Sequence, residues 1–153
     1  MCLLLLNNQE IEEVWQNLVY PPKQVRNNNL ELTLKSIHTF ESRGQVDFGG
    51  GEYKESKQQE IVPVLENDSK YGWWDLKKGN YLVIYNEVLD KPKFMALISP
   101  HERILCTGSF HPTFFWLSEE ERRKIVTILQ VGKNGLHVKE NARISTAVTF
   151  KMS

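Results

Sequence analysis

Three ionisable residues, His101-Glu102-Arg103, stand together directly after Pro100 ends an apolar run. A histidine, a carboxylate and a guanidinium are the residue types of acid–base and anion-binding chemistry. The end of a strand over a rigid core is a frequent place for both. They are also the types of ordinary surface charge, and an ion pair of His101 with Glu102 or a neighbour is the commoner arrangement for such a histidine. Other chemistries find less support. His38, His101, His111 and His137 lack close ligand spacing, and neither cysteine joins them, so no metal motif is present. Cys106 beside Thr107 reads as a small buried apolar residue in preference to a nucleophile.

The stretch from Gly72 to Gly108 must position these groups. Asp75 to Gly79 is a turn signal. Tyr81 to Val88 is rich in β-branched and aromatic residues and reads as a strand. Asp90-Lys91-Pro92 breaks it, because proline has no donor for a ladder. Phe94 to Ile98 is a second buried run, and the two runs are expected to form a central hairpin.

Around this centre the pattern is mostly β. Cys2 to Leu6 reads as a buried strand or the lead-in to a helix. Asn7 and Glu10 fit a capping box, and Ile11, Val14, Trp15 and Leu18 recur on one helical face until Tyr20-Pro21-Pro22 ends it. Leu30, Leu32 and Leu34 alternate with polar residues in a strand continuing to Phe40. Glu52 to Glu60 reads as a polar loop, and Ile61 to Leu65 as an edge strand because of Pro63. Phe114, Phe115 and Trp116 are expected in the core, Glu119 to Lys124 as a solvated turn, and Ile125 to Val131 as a buried strand. Gly132-Lys133-Asn134-Gly135 reads as a hairpin turn before a final strand over Ile144 to Phe150. One short N-terminal helix and seven or more closely spaced strands make an all-β fold, a sandwich or a distorted barrel.

At 153 residues the chain suffices for a single domain, residues 1–153, with a real core. Lysine plus arginine and aspartate plus glutamate are 19 each. The resulting zero net charge removes the electrostatic argument for a nucleic-acid partner. The Leu3 to Leu6 run is too short for a membrane span or a signal-peptide core. Two distant cysteines, Cys2 and Cys106, fit a reducing, cytoplasmic setting better than a disulfide.

Three stretches together resemble the dUTPase / dCTP deaminase superfamily. Gln24 to Leu34 (QVRNNNLELTL) is similar to the family's Q-x-x-P-N-G-V-D-L-T-L. Leu76 to Val83, with Asn86-Glu87, Pro92 and Pro100, is similar to L-x-P-G-x-Y-L-V-x-x-N-E-x-x-x-x-P … P-R-S-S-L-x-R-x-G. Asn134-Gly135-Leu136 and Ala142-Arg143-Ile144-Ser145 are similar to N-G-I … A-R-I-A-Q. The resemblance covers nearly all of the chain from Gln24. It implies a distorted antiparallel β-barrel of the β-clip type, assembled as a homotrimer with active sites at subunit interfaces.

The departures from the family pattern fall on the chemistry. The first-motif aspartate is Glu31, the R-S-S segment is His101-Glu102-Arg103, and the later arginine is Cys106. Trp116 matches the tryptophan of W-D-P-G-Y-x-G, but the water-orienting aspartate is Leu117 and the closing glutamine is Thr146. Ending at Ser153, the sequence is expected to lack the glycine-rich arm that closes over dUTP. On this resemblance the preferred reading is a non-catalytic relative: a nucleotide-binding, regulatory or structural protein whose partner is a deoxyribonucleotide. The alternative is an active, divergent dUTP diphosphatase or dCTP deaminase using Mg²⁺. In that case Glu31 stands in for the sugar-side aspartate and Glu102 orients water or carries a proton. His101, Arg103, Gly108, Trp116 and Arg123 would hold the nucleotide, the two arginines gripping phosphate. A third reading is an interaction protein unrelated to nucleotides.

Overall fold

The structure, a computed structural model, describes residues 2–67, 69–118 and 124–153. Among them are twelve strands and three short helices. In chain order they are β1 (Leu3–Leu5), α1 (Asn8–Val14), α2 (Pro21–Gln24), β2 (Val25–Arg26), β3 (Asn29–Phe40), β4 (Gln58–Glu60), β5 (Val64–Leu65) and β6 (Gly72–Leu76). There follow β7 (Gly79–Tyr85), β8 (Phe94–Pro100), α3 (Glu102–Cys106), β9 (Phe114–Leu117), β10 (Val126–Val131), β11 (Leu136–Lys139) and β12 (Arg143–Met152). The main sheet runs β10-β7-β3-β12-β8-β9, with β1, β2 and β4 paired onto it. A smaller sheet runs β11-β6-β5. Every pairing is antiparallel. The expected all-β, barrel-like fold is the one observed.

The long strand β3 lies near the middle of the main sheet. Leu30, Leu32 and Leu34 point inward and are fully buried. Its register with β7 then shifts between Leu34 and Ser36. The bulge changes the inward phase, so that odd-numbered Ile37 is the next buried residue. On β12 a second shift lies between Arg143 and Ser145. The α1 helix closes one side of the core with Ile11, Val14 and, just beyond it, Trp15. Trp15 Nε1 donates to Thr149 Oγ1 at 2.9 Å, which satisfies the indole in an otherwise apolar place.

The capping box is present. Asn7 Oδ1 accepts from the Glu10 amide at 2.9 Å, and the Asn7 amide donates to Glu10 Oε1 at 3.1 Å. The helix ends at Val14, short of Leu18, because Gln16 leaves it to exchange backbone hydrogen bonds with Val88 at 2.9 and 3.0 Å. Tyr20-Pro21-Pro22 starts a second helix, α2, with proline in its first turn.

Other expectations need correction. The runs β7 and β8 do not form a hairpin. β7 lies between β10 and β3, and β8 between β12 and β9. The connection at 86–93 is held from outside instead: the Asn86 amide donates to the Thr33 carbonyl and the Val88 amide to that of Gln16. The Gly132–Gly135 turn exists, with a 3.0 Å bond from the Gly135 amide to the Gly132 carbonyl. It joins strands of two different sheets, so it is not a hairpin. Leu3 to Leu5 do form a strand, but about half of each side chain is exposed. Phe115 is exposed while Phe114 and Trp116 pack on the core, because β9 is the outermost strand of its sheet and shows one face to solvent. The same holds at the opposite edge, where Val126 and Ile128 of β10 are exposed. The Glu52 to Glu60 stretch ends in the short strand β4. The Ile61 to Leu65 run contributes only Val64 and Leu65, at an edge as expected. Of the charge run Glu119 to Lys124, all but Lys124 lies outside the described residues.

Candidate functional site

Two local features meet at one cleft. The first is the corner formed by α2, β2 and the start of β3. Proline at the start of α2 fixes its entry, and its last residue, Gln24, is buried. Asn27 and Asn28 take positive φ, 54° and 59°, so the chain reverses between β2 and β3. The second is α3, which starts where Pro100 stops β8. Its N-cap is His101, whose Nδ1 accepts from the Arg103 amide at 3.0 Å. Between them is a cleft of ≈ 390 Å³ lined by Gln24, Arg26, Asn27, Asn29 and Glu31 from the corner and His101, Glu102 and Arg103 from the helix start. Thr146, which faces Glu31 in register on β12, completes it.

Glu31 is the centre of this cleft. Its Oε1 lies 2.9 Å from His101 Nε2 and 3.6 Å from Arg26 Nη2, and its Oε2 lies 2.6 Å from Arg143 Nη1. Because His101 Nδ1 accepts a backbone hydrogen bond, the ring proton sits on Nε2 and points at Glu31. Burial pushes the Glu31 carboxyl up, but the hydrogen bonds and charges of His101 and Arg143 outweigh it. The net result is a carboxyl below its ordinary value. The partner of His101 is therefore Glu31, not Glu102.

Behind the cleft lies a buried polar scaffold. Gln24 Nε2 donates to the Glu31 carbonyl at 2.9 Å and to Glu87 Oε2 at 2.8 Å, and its Oε1 accepts from the Tyr20 amide. Glu87, fully buried, also accepts from the Thr33 amide and from Thr33 Oγ1. Asn86 Nδ2 bridges Thr33 Oγ1 and Asn141 Oδ1, each at 2.9 Å. The Gln24 and Asn86-Glu87 signatures, 63 residues apart at Gln24 and Glu87, thus form one network that fixes the backbone under Glu31. Burial holds the Glu87 carboxyl above its ordinary value despite these donors.

The structure brings Glu31, His101, Glu102 and Arg103 together. Glu102 and Arg103 are exposed at the rim. Gly108 and Trp116 do not line the cleft. Gly108, at φ 81°, packs its carbonyl against Gly132. Trp116 Nε1 faces the Leu89 carbonyl at 3.4 Å. Arg123 lies outside the described residues. Leu117 is exposed on β9, and Cys106 is exposed rather than buried because Ile104 takes the inward face of α3. Sequence reasoning missed Arg143, Arg26, Gln24 and Thr146 as site residues. Gln24 and Arg143 both stand within motif-like segments, a usable signal.

Among the described residues no three His, Cys, Asp or Glu side chains gather as a metal site. Both oxygens of Glu31 are taken by nitrogen donors, which leaves Glu102 as the carboxylate of the cleft with no ion-pair partner among the described residues. Mg²⁺ usually keeps several waters and is held through one or two carboxylates plus substrate phosphates, so Glu102 is the residue of this cleft that would hold it.

No family model matches the chain. A protein of Methanosarcina mazei named a probable deoxyuridine 5'-triphosphate nucleotidohydrolase is 32% identical over 141 residues, covering 90% of this chain and 78% of that protein. A protein of Methanosarcina acetivorans with the same name is 31% identical over 159 residues, 99% of this chain and 90% of that one. Among solved structures, the 2'-deoxycytidine 5'-triphosphate deaminase of Agrobacterium tumefaciens shares the fold, with a TM-score of 0.67 at 13% identity. The match covers 96% of this chain but 48% of the deaminase, so the chain spans about half that protein's length.

Proposed function

The chain belongs to the dUTPase and dCTP deaminase superfamily, and we propose that it binds the phosphates of a deoxyribonucleotide in the cleft around Glu31 without hydrolysing or deaminating it. The observation that carries this reading is the state of Glu31. Three nitrogen groups hold its carboxylate, so it is not free to take a proton from water. Glu102, the other carboxylate of the cleft, is exposed at the mouth of α3. Removing a positioned general base typically costs 10²- to 10⁴-fold in rate.

Phosphate binding in this reading falls to Arg26 and Arg103, with Asn27 and Asn29 beside them. It is weak, because Glu102 shares the mouth. Like charges about 4 Å apart repel by on the order of 4 kcal/mol at an effective dielectric of 20. The protein works in the cytoplasm as a homotrimer, with neighbouring copies completing each cleft. The relatives' names support a deoxynucleoside triphosphate as the ligand class.

The test is turnover of dUTP and dCTP with Mg²⁺, run beside thermal melting with each nucleotide. No turnover is expected, with a rise in Tm that grows when Glu102 is replaced by glutamine. Robust turnover that disappears in Glu102→Gln would overturn the reading and assign Glu102 the role of base. No Tm shift with any nucleotide would overturn the binding half.

A further inference from the structure

Arg103 is a wall between two clefts. Beyond it lies a second one of ≈ 350 Å³, between α3 and the β11–β12 corner. Its floor is apolar and well packed: Ile104, Val138 and Ile144 are all buried. Its rim is cationic. Arg103, Lys139 and Arg143 line it and no carboxylate does among the described residues, with Glu66 Oε1 just outside at 3.4 Å from His137 Nε2. Arg143 is already engaged by Glu31, whereas Arg103 and Lys139 have no carboxylate partner among the described residues.

The mouth carries an aromatic platform. Trp73 stacks on His137 with ring centres 4.4 Å apart and planes 1° from parallel. Lys139 lies directly across the strand pair from Trp73, with Nζ 5.5 Å from its ring centre. Contact with the ring face holds the ammonium at the rim.

An apolar floor beneath Arg103 and Lys139, which have no carboxylate partner among the described residues, suits one kind of occupant. A neutral apolar molecule would leave the rim charges unused, and a bare phosphate would leave the floor unfilled. Ligand sites commonly combine a largely apolar lining with a few placed polar groups, and arginine and lysine are the usual holders of phosphate oxygens. We propose that this cleft is a second binding site, next to the one around Glu31 and sharing the Arg103 wall with it, for a small molecule with a flat apolar ring and a single phosphate. Arg103 and Lys139 grip the phosphate, and the ring lies on the Ile104–Val138–Ile144 floor beside Trp73. This proposal does not rest on the nucleotide reading above.

The test uses 1-naphthyl phosphate, with 1-naphthol and inorganic phosphate as its separate halves, followed by calorimetry and by the Trp73 indole resonance. The intact ester is expected to bind at least tenfold more tightly than either half and to shift that resonance. Lys139→Ala and Trp73→Leu should each weaken it about tenfold, the size expected for losing one charged or aromatic contact. Neither should change the response of the Glu31 cleft to dUTP. Unchanged affinity in Lys139→Ala, or a half that binds as tightly as the whole, would overturn the proposal.

Discussion

Glu31 Oε2 accepts a 2.6 Å hydrogen bond from Arg143 Nη1 across the junction of β3 and β12. The two residues are 112 positions apart in the chain, and their pairing decides how the cleft behaves. A carboxylate seated between an arginine and a histidine takes up positive charge that both could otherwise offer an anionic ligand.

Replacing that carboxylate should release the cations. Glu31→Gln is expected to bind inorganic pyrophosphate about tenfold more tightly than the parent, a change of about 1.4 kcal/mol. It should also lower folding stability by about 1.5 to 3 kcal/mol, the usual worth of hydrogen bonds to a charged group. Calorimetry and urea denaturation measure the two effects, and weaker pyrophosphate binding would contradict the account.

The same pair predicts a pH dependence. The Glu31 carboxyl is held below its ordinary 4.5 in the folded chain. Its contribution is therefore complete above about that value and is lost as pH falls through the lowered pKa. The stability gap between parent and Glu31→Gln should be constant near neutrality and shrink in acid. A gap that widens below pH 4.5 would reverse the sign.

Glu87 runs the other way. Its carboxyl is raised above the ordinary 4.5 by burial, so its ionisation costs stability as pH rises from that value through the raised pKa. The group accepts from Gln24 and twice from Thr33. Glu87→Gln would turn an amide donor toward these donors and should cost about 1 to 3 kcal/mol. It should also remove the part of the acid-side gain in stability that belongs to Glu87. Chemical denaturation across pH 5 to 7, parent against variant, checks both.

Away from the cleft, Ser145 Oγ joins two buried groups, lying 2.5 Å from the Tyr85 hydroxyl and 2.7 Å from His111 Nε2. His111 Nδ1 faces the Pro112 carbonyl at 2.8 Å, so a proton sits on Nδ1, and burial favours the neutral ring, whose Nε2 is then an acceptor. The hydrogen bonds then run from Tyr85 to Ser145 to His111. Ser145→Ala removes the hydroxyl that bridges Tyr85 and His111 and leaves only the long 3.5 Å contact between the Tyr85 hydroxyl and His111 Nε2, an expected loss of about 1 to 3 kcal/mol. Burial also lowers the His111 pKa from 6.5, so stability should fall as pH drops below that value. Urea titrations at pH 7 and pH 5.5 test the pair.

The fourth variant tests packing. A side-chain carbon added at Gly132 would overlap the Gly108 carbonyl oxygen, which is backbone and cannot swing aside. Gly132→Ala should cost about 1 to 3 kcal/mol through overpacking. A Tm equal to the parent's would show that the backbone there yields freely.

Short-range patterns were legible in the sequence. Asn7 and Glu10 cap a helix because the two groups lie within one turn. Leu30, Leu32 and Leu34 face the core because a strand alternates sides every residue. The motif order from Gln24 to Ser145 pointed to the superfamily that the relatives support. The helices α2 and α3, at 4 and 5 residues, are too short to show a period. The choice of neighbours was hidden as well: β7 and β8 look like a hairpin, yet each pairs elsewhere, because pairing is settled by which distant faces bury together. The cleft shows this most plainly. A glutamate, a histidine and several arginines can be read directly from the chain. That His101 and Arg143 close on Glu31 is visible only in the fold, because a hydrogen bond depends on distance through space and the chain pattern records distance along the chain.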